Sequence, residues 1–216
     1  MKRQYLTRHE IEKIIAATVS GRHEIRDSCL ILMSYIHGFR VSELTGLKMS
    51  DLDIESKTIF IRRLKNGHST IHPIHDAELD LIIEWIKHRN QYLKCKNEKW
   101  LFLSQCGTRL TRQRIYSMIR NYSLTAGIQI FAHPHMLRHS CGYELANQGM
   151  DTRLIQDYLG HRNIRHTVHY TSGNSARFSR VWQNSWLASF ADNRIFAKSI
   201  LEAAIVSAQT STFLYT

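Results

Sequence analysis

The sequence predicts an α+β domain, predominantly helical, with one small antiparallel β-sheet near residues 58–74. Three observations carry this expectation. Apolar residues recur at helical spacing through most of the chain, as Ile11, Ile14 and Ile15 do in "LTRHEIEKIIAATVSG", and that period marks one buried helix face. Strand-type composition is confined to "KTIFIRR" and "STIHPI", which flank Asn66-Gly67. That pair tolerates the positive φ of a tight hairpin turn. Finally, 216 residues with 43% hydrophobic and 22% charged content suit one core-forming domain, or one domain with an appendage.

Thr7 followed by Glu10 is a capping box that opens the first helix. Gly21 is expected to stop it. Helical pattern resumes over "DSCLILMSYIHG" and "VSELTGLK", and the hairpin follows. Helix returns over "DAELDLIIEWIKHRNQYL", and "WLFLS" reads as a short strand or extended piece. From "TRQRIYSMIRNYSLTAG" onward the chain reads as helices joined by short turns. Pro134 suits the first turn of "HPHMLRHSCGYELANQG". Asp151 is placed to cap "TRLIQDYLG", and Gly160 to end it. There is no internal repeat, and 2 Pro and 10 Gly leave no interdomain linker. Residues 1–190 are therefore expected as one domain, and 191–216 as a tail of unassigned role with a possible oligomer contact.

Net charge is +11 and the pI near 9.7, before any of the 13 histidines protonates. That favours a polyanion: DNA, RNA or an anionic membrane surface. No apolar run approaches the ~20 residues that span a bilayer, and "MKRQYLTRHEIEK" has no apolar signal core. A membrane partner is set aside, except for surface binding by the amphipathic tail. Cys29, Cys95, Cys106 and Cys141 form no CxxC pair, so neither a zinc site nor a disulfide framework is expected. They read as reduced thiols of a cytoplasmic protein.

Four polar signals stand out, each open to a bland reading. His135 and Arg138 share a helix face near a helix start, which makes a phosphate pocket or a solvated basic face. Arg40 precedes a helix and Glu43 follows three residues on. The carboxylate either orients a guanidinium or forms a surface ion pair of at most ~1 kcal/mol. Lys65 at the hairpin delivers a flexible ammonium or is an exposed turn lysine. In "LGHRNIRHTVHYT", His161 follows Gly160 and Tyr170 lies nine residues later, as a nucleophile or a packing residue. A metal site would take His133, His135 and His139, or His161, His166 and His169. No "HExxH" glutamate or cysteine partner accompanies them, and no metal is expected.

Taken in order, "GxRxSEL", a hairpin lysine, "HxLRH", "LGH" and the later tyrosine resemble the tyrosine recombinases, the integrase family, from about Leu6 to Ser189. "HGFRVSEL", "RRLKNGHSTIHP", "HPHMLRHSCGYELA" and "DTRLIQDYLGHRNIRHTVHYT" are similar to the short Fim-type invertases of enterobacteria, which flip fimbrial promoter segments. Longer family members carry an additional N-terminal DNA-clamping domain, whereas few residues precede the first catalytic-domain helix here.

The resemblance implies a catalytic set of Arg40, Lys65, His135, Arg138, His161 and Tyr170. Tyr170 would attack phosphorus to form a 3′-phosphotyrosine, with His135 as base and Lys65 as proton donor to the leaving 5′-oxygen. Arg40, Arg138 and His161 would hold the non-bridging oxygens, Glu43 would orient the arginines, and His139 would be structural support. Arg109, Arg112, Arg114 and Arg120 would hold DNA phosphates; Arg162 and Arg165 would be phosphate contacts or helix-surface charges. The resemblance further implies no cofactor, double-stranded DNA with inverted repeats, a homotetramer on paired sites, a Holliday junction and host DNA-bending proteins. "RFSRVWQNSWLASF" is the expected contact with a neighbouring protomer. The alternatives are a type IB topoisomerase-like relaxing activity and a DNA-binding regulator without catalysis.

Overall fold

In a computed structural model of the chain, the residues described are 3–63, 67–92 and 98–174. The chain divides into two compact units, residues 1–174 and 175–216. The second unit lies outside the described residues, and with it the expected boundary near residue 190, the "RFSRVWQNSWLASF" segment and the tail.

The first unit is built from eight α-helices and three short strands among its described residues: α1 (Arg8–Ala16), α2 (Glu24–Ile36), α3 (Val41–Thr45), β1 (Leu52–Asp53), β2 (Thr58–Ile61), β3 (Thr70–Pro73), α4 (Asp76–Arg89), α5 (Arg112–Thr125), α6 (Pro134–Asn147), α7 (Thr152–Leu159) and α8 (Arg165–Thr171). Local chemistry accounts for most boundaries. The Thr7 hydroxyl accepts from the Glu10 N–H at 3.2 Å, and the Glu10 carboxylate accepts from the Thr7 N–H at 2.8 Å. The Asp151 carboxylate accepts from Arg153 and Leu154 N–H at 2.7 and 3.0 Å, and Gly160 ends α7 in the left-handed region at φ 63°.

Two turns differ from expectation. Gly21 ends no helix in the left-handed region: α1 tightens into a 3-10 turn over Ala17–Ser20, and Gly21 is extended at φ −94°. Its role is space, since a Cβ there would come within 2.1 Å of the Tyr122 hydroxyl. The hairpin also has a wider turn than an Asn66-Gly67 pair makes. In an unbroken ladder, that two-residue turn would pair Thr70 with Arg63. Instead, Thr70 pairs with Ile61 and the ladder runs to Thr58–Pro73, leaving residues 62–69 as the connection. The β1 strand, antiparallel to β2, was not anticipated, because two residues carry no readable alternation.

The main core joins α1, α2, α4, α5 and the sheet through Ile11, Ile14, Leu30, Ile31, Ile59, Ile61, Ile82, Trp85, Ile115 and Ile119. Successive residues Cys29, Leu30 and Ile31 of α2 are buried, as expected of a helix covered on several sides. A second cluster, Cys141, Ala146, Ile155, Leu159 and Tyr170, lies under α6, α7 and α8. The polar site forms between these two apolar cores.

Candidate active site

Glu43 organises the site from the first turn of α3. Its carboxylate accepts from the Arg40 N–H at 2.9 Å and the Arg40 guanidinium at 2.7 Å. It also accepts from Arg63 Nη1 at 2.9 Å, and Arg138 Nη1 lies 3.9 Å away. Glu43 is only 5% exposed. Burial pushes its carboxyl up, but Arg63, the Arg40 hydrogen bonds and Arg138 more than offset that, and it titrates below its ordinary value.

Arg138 is 1% exposed and links three segments from the second turn of α6. Nη1 donates to the Gly38 carbonyl at 2.5 Å and Nη2 to the Leu159 carbonyl at 2.7 Å. Burial, then the guanidinia of Arg40 and Arg63, lower its pKa to about 9, so it remains a cation at neutral pH. Three guanidinia thus surround one buried carboxylate, with Arg63 and Arg138 buried and Arg40 reaching the cleft. The local excess of positive charge is electrostatically suited to an anion.

Arg63 was missed at the sequence level, where "RR" showed only strand composition. Its guanidinium also donates to the carbonyls of Tyr158 at 2.6 Å and His37 at 3.2 Å. The readable signal was alternation. Ile59 and Ile61 are buried, so Arg63 continues the inward face. Arg62 points the other way, to Asp51 at 2.8 Å.

His161 follows the left-handed Gly160, and its Nδ1 lies 2.9 Å from the Thr167 hydroxyl. Burial, then Arg138 and Arg40, lower its pKa to about 3; it is a neutral imidazole facing the arginines. A cleft of about 730 Å³ opens here, with Arg40, Gly67, Arg153, His161, Arg162 and His166 in its lining.

Tyr170 sits on α8, 2% exposed. Its Oη lies 2.9 Å from His139 Nδ1, and its ring stacks near-parallel to His161 at 6.4 Å. Gly142 of α6 admits the ring: a Cβ there would come within 2.7 Å of Tyr170 Cε2 and Cζ. A glycine inside a helix was the unread signal for that close approach. Burial raises the Tyr170 pKa, partly offset by Arg138, so the resting phenol keeps its proton.

The histidine on Tyr170 is His139, where His135 was the expected base and His139 the expected support. The helical period explains the difference: His135, His139 and Gly142 share one face of α6. His139 stands beside Gly142 against the Tyr170 ring, and His135 stacks one turn earlier at 4.5 Å from His139. Burial, then His135, lower His139 to about 4. With its proton on Nε2, this neutral ring accepts the Tyr170 O–H at Nδ1. His135 is lowered by burial and then by Arg138.

The expected phosphate contacts divide. Arg109 donates to the Thr45 carbonyl at 2.7 Å and the Thr45 hydroxyl at 2.9 Å, and lies 4.6 Å over the Trp100 ring. Its guanidinium is used within the fold. Arg112, Arg114 and Arg120 are exposed on α5, a helix without an acidic residue. Arg162 and Arg165 are exposed near the cleft. Lys65 lies outside the described residues. Among the described residues, no group of three His, Cys, Asp or Glu could hold a metal, and no helix is long and apolar enough to cross a membrane.

The Phage integrase family matches residues 4–177. The chain belongs to the phage integrase family. The type 1 fimbriae regulatory proteins FimB and FimE of Escherichia coli K12 are each 50% identical over 184 residues, 85% of this chain and 92% and 93% of theirs. Tyrosine recombinase XerD of Oceanobacillus iheyensis is 32% identical over 182 residues, 83% of this chain and 61% of XerD. Among solved structures, XerA recombinase superposes with a TM-score of 0.71 at 28% identity, over 83% of this chain and 64% of XerA. XerH bound to its palindromic difH substrate, in a post-cleavage complex, gives 0.68 at 25% identity, over 83% of this chain and 53% of XerH. The chain thus spans less than two thirds of these Xer chains. This integrase-family chain has the α+β fold of the tyrosine recombinase catalytic domain, and its enzyme class is site-specific DNA recombinase. Relaxation without paired sites and non-catalytic regulation are not favoured by these relatives.

Proposed function

We propose that this recombinase inverts a DNA segment between short inverted repeats, as a fimbrial promoter switch, with Tyr170 as nucleophile. The carrying observation is the contact of Tyr170 Oη with neutral His139 Nδ1 at 2.9 Å, beside the guanidinia of buried Arg63 and Arg138 and of Arg40 at the cleft. Oη attacks phosphorus, the new O–P bond replaces the bond to the 5′-oxygen, and the phenolic proton passes to His139. The product is a 3′-phosphotyrosine. A second 5′-hydroxyl reverses the step, so the bond energy is conserved and no nucleotide cofactor is needed.

Arg40 and Arg138, with His161, meet the charge that develops on the non-bridging oxygens. By family resemblance, Lys65 protonates the leaving 5′-oxygen. Tyr170 is 2% exposed, so α8 must shift before Oη reaches a phosphate. The similarity to FimB and FimE over most of both chains supports the fimbrial substrate. The further reading is a homotetramer pairing two sites through a Holliday junction, assisted by host DNA-bending proteins.

The test uses a supercoiled plasmid carrying a fimbrial inverted-repeat element, with chelator and no nucleotide. Wild type is expected to invert the segment and to give a covalent protein–DNA adduct on a denaturing gel. Tyr170→Phe is expected to bind and do neither. An adduct formed by Tyr170→Phe would overturn the nucleophile, and relaxation of plasmids without repeats would overturn the two-site reaction.

A further inference from the structure

Behind the arginine cluster runs a second buried polar chain that this mechanism does not use. It begins at Glu78 on α4, 1% exposed, and reaches His37 at the end of α2, 0% exposed. Glu78 Oε1 lies 2.8 Å from His37 Nε2. His37 Nδ1 lies 3.2 Å from Nδ1 of His72 on β3, and His72 Nε2 lies 2.9 Å from the Thr70 hydroxyl. The Tyr158 ring of α7 covers His72 at 4.0 Å. Apolar side chains would fill the same space without the desolvation that a buried carboxylate and two imidazoles incur. Glu78 Oε2 is buried without a hydrogen-bond partner among the described residues, so the second oxygen adds nothing there to offset that cost.

The chain has a direction. A carboxylate only accepts, so His37 donates from Nε2. If His37 carries one proton, its Nδ1 accepts from His72, and His72 Nε2 accepts from Thr70. If His37 carries two, both bonds reverse. His72 is neutral in either state, because burial and then His37 lower its pKa to about 3. With Glu78 holding the proton on His37 Nε2, the tautomer of His72 and the direction of the Thr70 hydroxyl are set by whether His37 Nδ1 also carries a proton.

Each anchor lies close in sequence to a group assigned to the scissile phosphate. His37 precedes Arg40 by three residues, and Tyr158 precedes His161 by three. Thr70 closes the 62–69 connection, whose sequence contains Lys65 and whose Gly67 lines the cleft. Arg63 joins the two layers, since it binds Glu43 and the carbonyls of His37 and Tyr158.

We propose that Glu78, His37, His72 and Thr70 form a positioning relay that fixes the start of β3 against the segments leading into Arg40 and His161 for strand cleavage. These are positioning residues; none touches the phosphate. The proposal rests on the assignment of Tyr170, Arg40 and Lys65 above.

The test compares wild type with Glu78→Gln, Thr70→Val and Thr70→Ser, all as the full chain. Thermal unfolding checks the fold, DNA titration gives Kd, and single-turnover adduct formation at saturating DNA gives the cleavage rate. Glu78→Gln and Thr70→Val are expected to cleave on the order of tenfold more slowly, as small misplacements do, with Kd within about twofold because phosphate contacts dominate affinity. Thr70→Ser, which keeps the hydroxyl, is expected to restore the rate. Side-chain ¹⁵N spectra of the free protein are expected to show one tautomer of His72, changed by Glu78→Gln. Wild-type cleavage rates in both variants, or a His72 tautomer indifferent to Glu78→Gln, would overturn the relay. So would slower cleavage that follows lost stability and weaker DNA binding without rescue by serine. Absence of any adduct from wild type would instead overturn the nucleophile assignment, and the tautomer measurement would still judge the relay.

Discussion

Among the described residues, Glu43 is the carboxylate shared by three guanidinia. Replacing it with Gln keeps the shape and removes the charge, so Arg40, Arg63 and Arg138 repel one another. A cost of about 3 kcal/mol at neutral pH is expected, in the range for breaking a buried pair, measured by urea unfolding. The sign with pH follows from the lowered pKa of Glu43. The contribution is fully present above the unfolded carboxyl value and is lost as pH falls through the folded one. The gap between wild type and Glu43→Gln should therefore narrow on acidification below the ordinary glutamate range; a constant gap would mean the charge is not the cause. At the same scale, His139 and His135 separate by role. Removal of a proton acceptor costs about 10²–10⁴-fold. His139→Ala should therefore slow single-turnover adduct formation far more than His135→Ala. The reverse order would return the base to His135.

At the scale of elements, the packing of α6 against α8 decides whether Tyr170 is held. Gly142→Ala sets two effects against each other. Alanine is favoured over glycine inside a helix by about 1 kcal/mol. The new Cβ would meet the Tyr170 ring at 2.7 Å, and overpacking costs typically about 1–3 kcal/mol. The packing cost should win: a lower Tm is expected, with loss of the Tyr170–His139 contact and slower adduct formation. A higher Tm would show that α8 yields without cost. The capping box on α1, the Asp151 cap and the Gly160 stop of α7 were all legible because each is settled within a few residues. The hairpin turn was not, since its register follows the burial of Ile59 and Ile61 and the Ile61–Thr70 pairing rather than the Asn66-Gly67 pair.

Across the whole molecule, charge separates two kinds of arginine. The net charge of +11 predicts DNA affinity that falls steeply with salt, as counterions are released. Exposed Arg112 and Arg120 on acid-free α5 should each reduce the salt slope by about 1 when changed to Ala. Arg109→Ala should leave the slope unchanged and lower stability, because its donors are bound to Thr45. Titrations at several salt concentrations, paired with unfolding curves, check both; a reduced slope for Arg109→Ala would place it on DNA.

The resemblance of the ordered motifs to the integrase family singled out Arg40, Glu43, Lys65, His135, Arg138, His161 and Tyr170, while the period of the apolar residues and the caps were enough to read the fold class and the helices. Such features are written in spacings of a few residues, where local backbone geometry leaves little choice. The rest depended on residues far apart in sequence coming to share one dehydrated volume. Arg63 meets Glu43 across 20 positions and Tyr158 across 95, and His139 meets Tyr170 across 31. Strand alternation sets Arg63 apart from Arg62 without saying what it binds, and no local preference distinguishes His139 from His135. What distinguishes them is the cost of leaving a buried charge or hydroxyl unpaired, and that cost exists only once the helices and the sheet have closed around it.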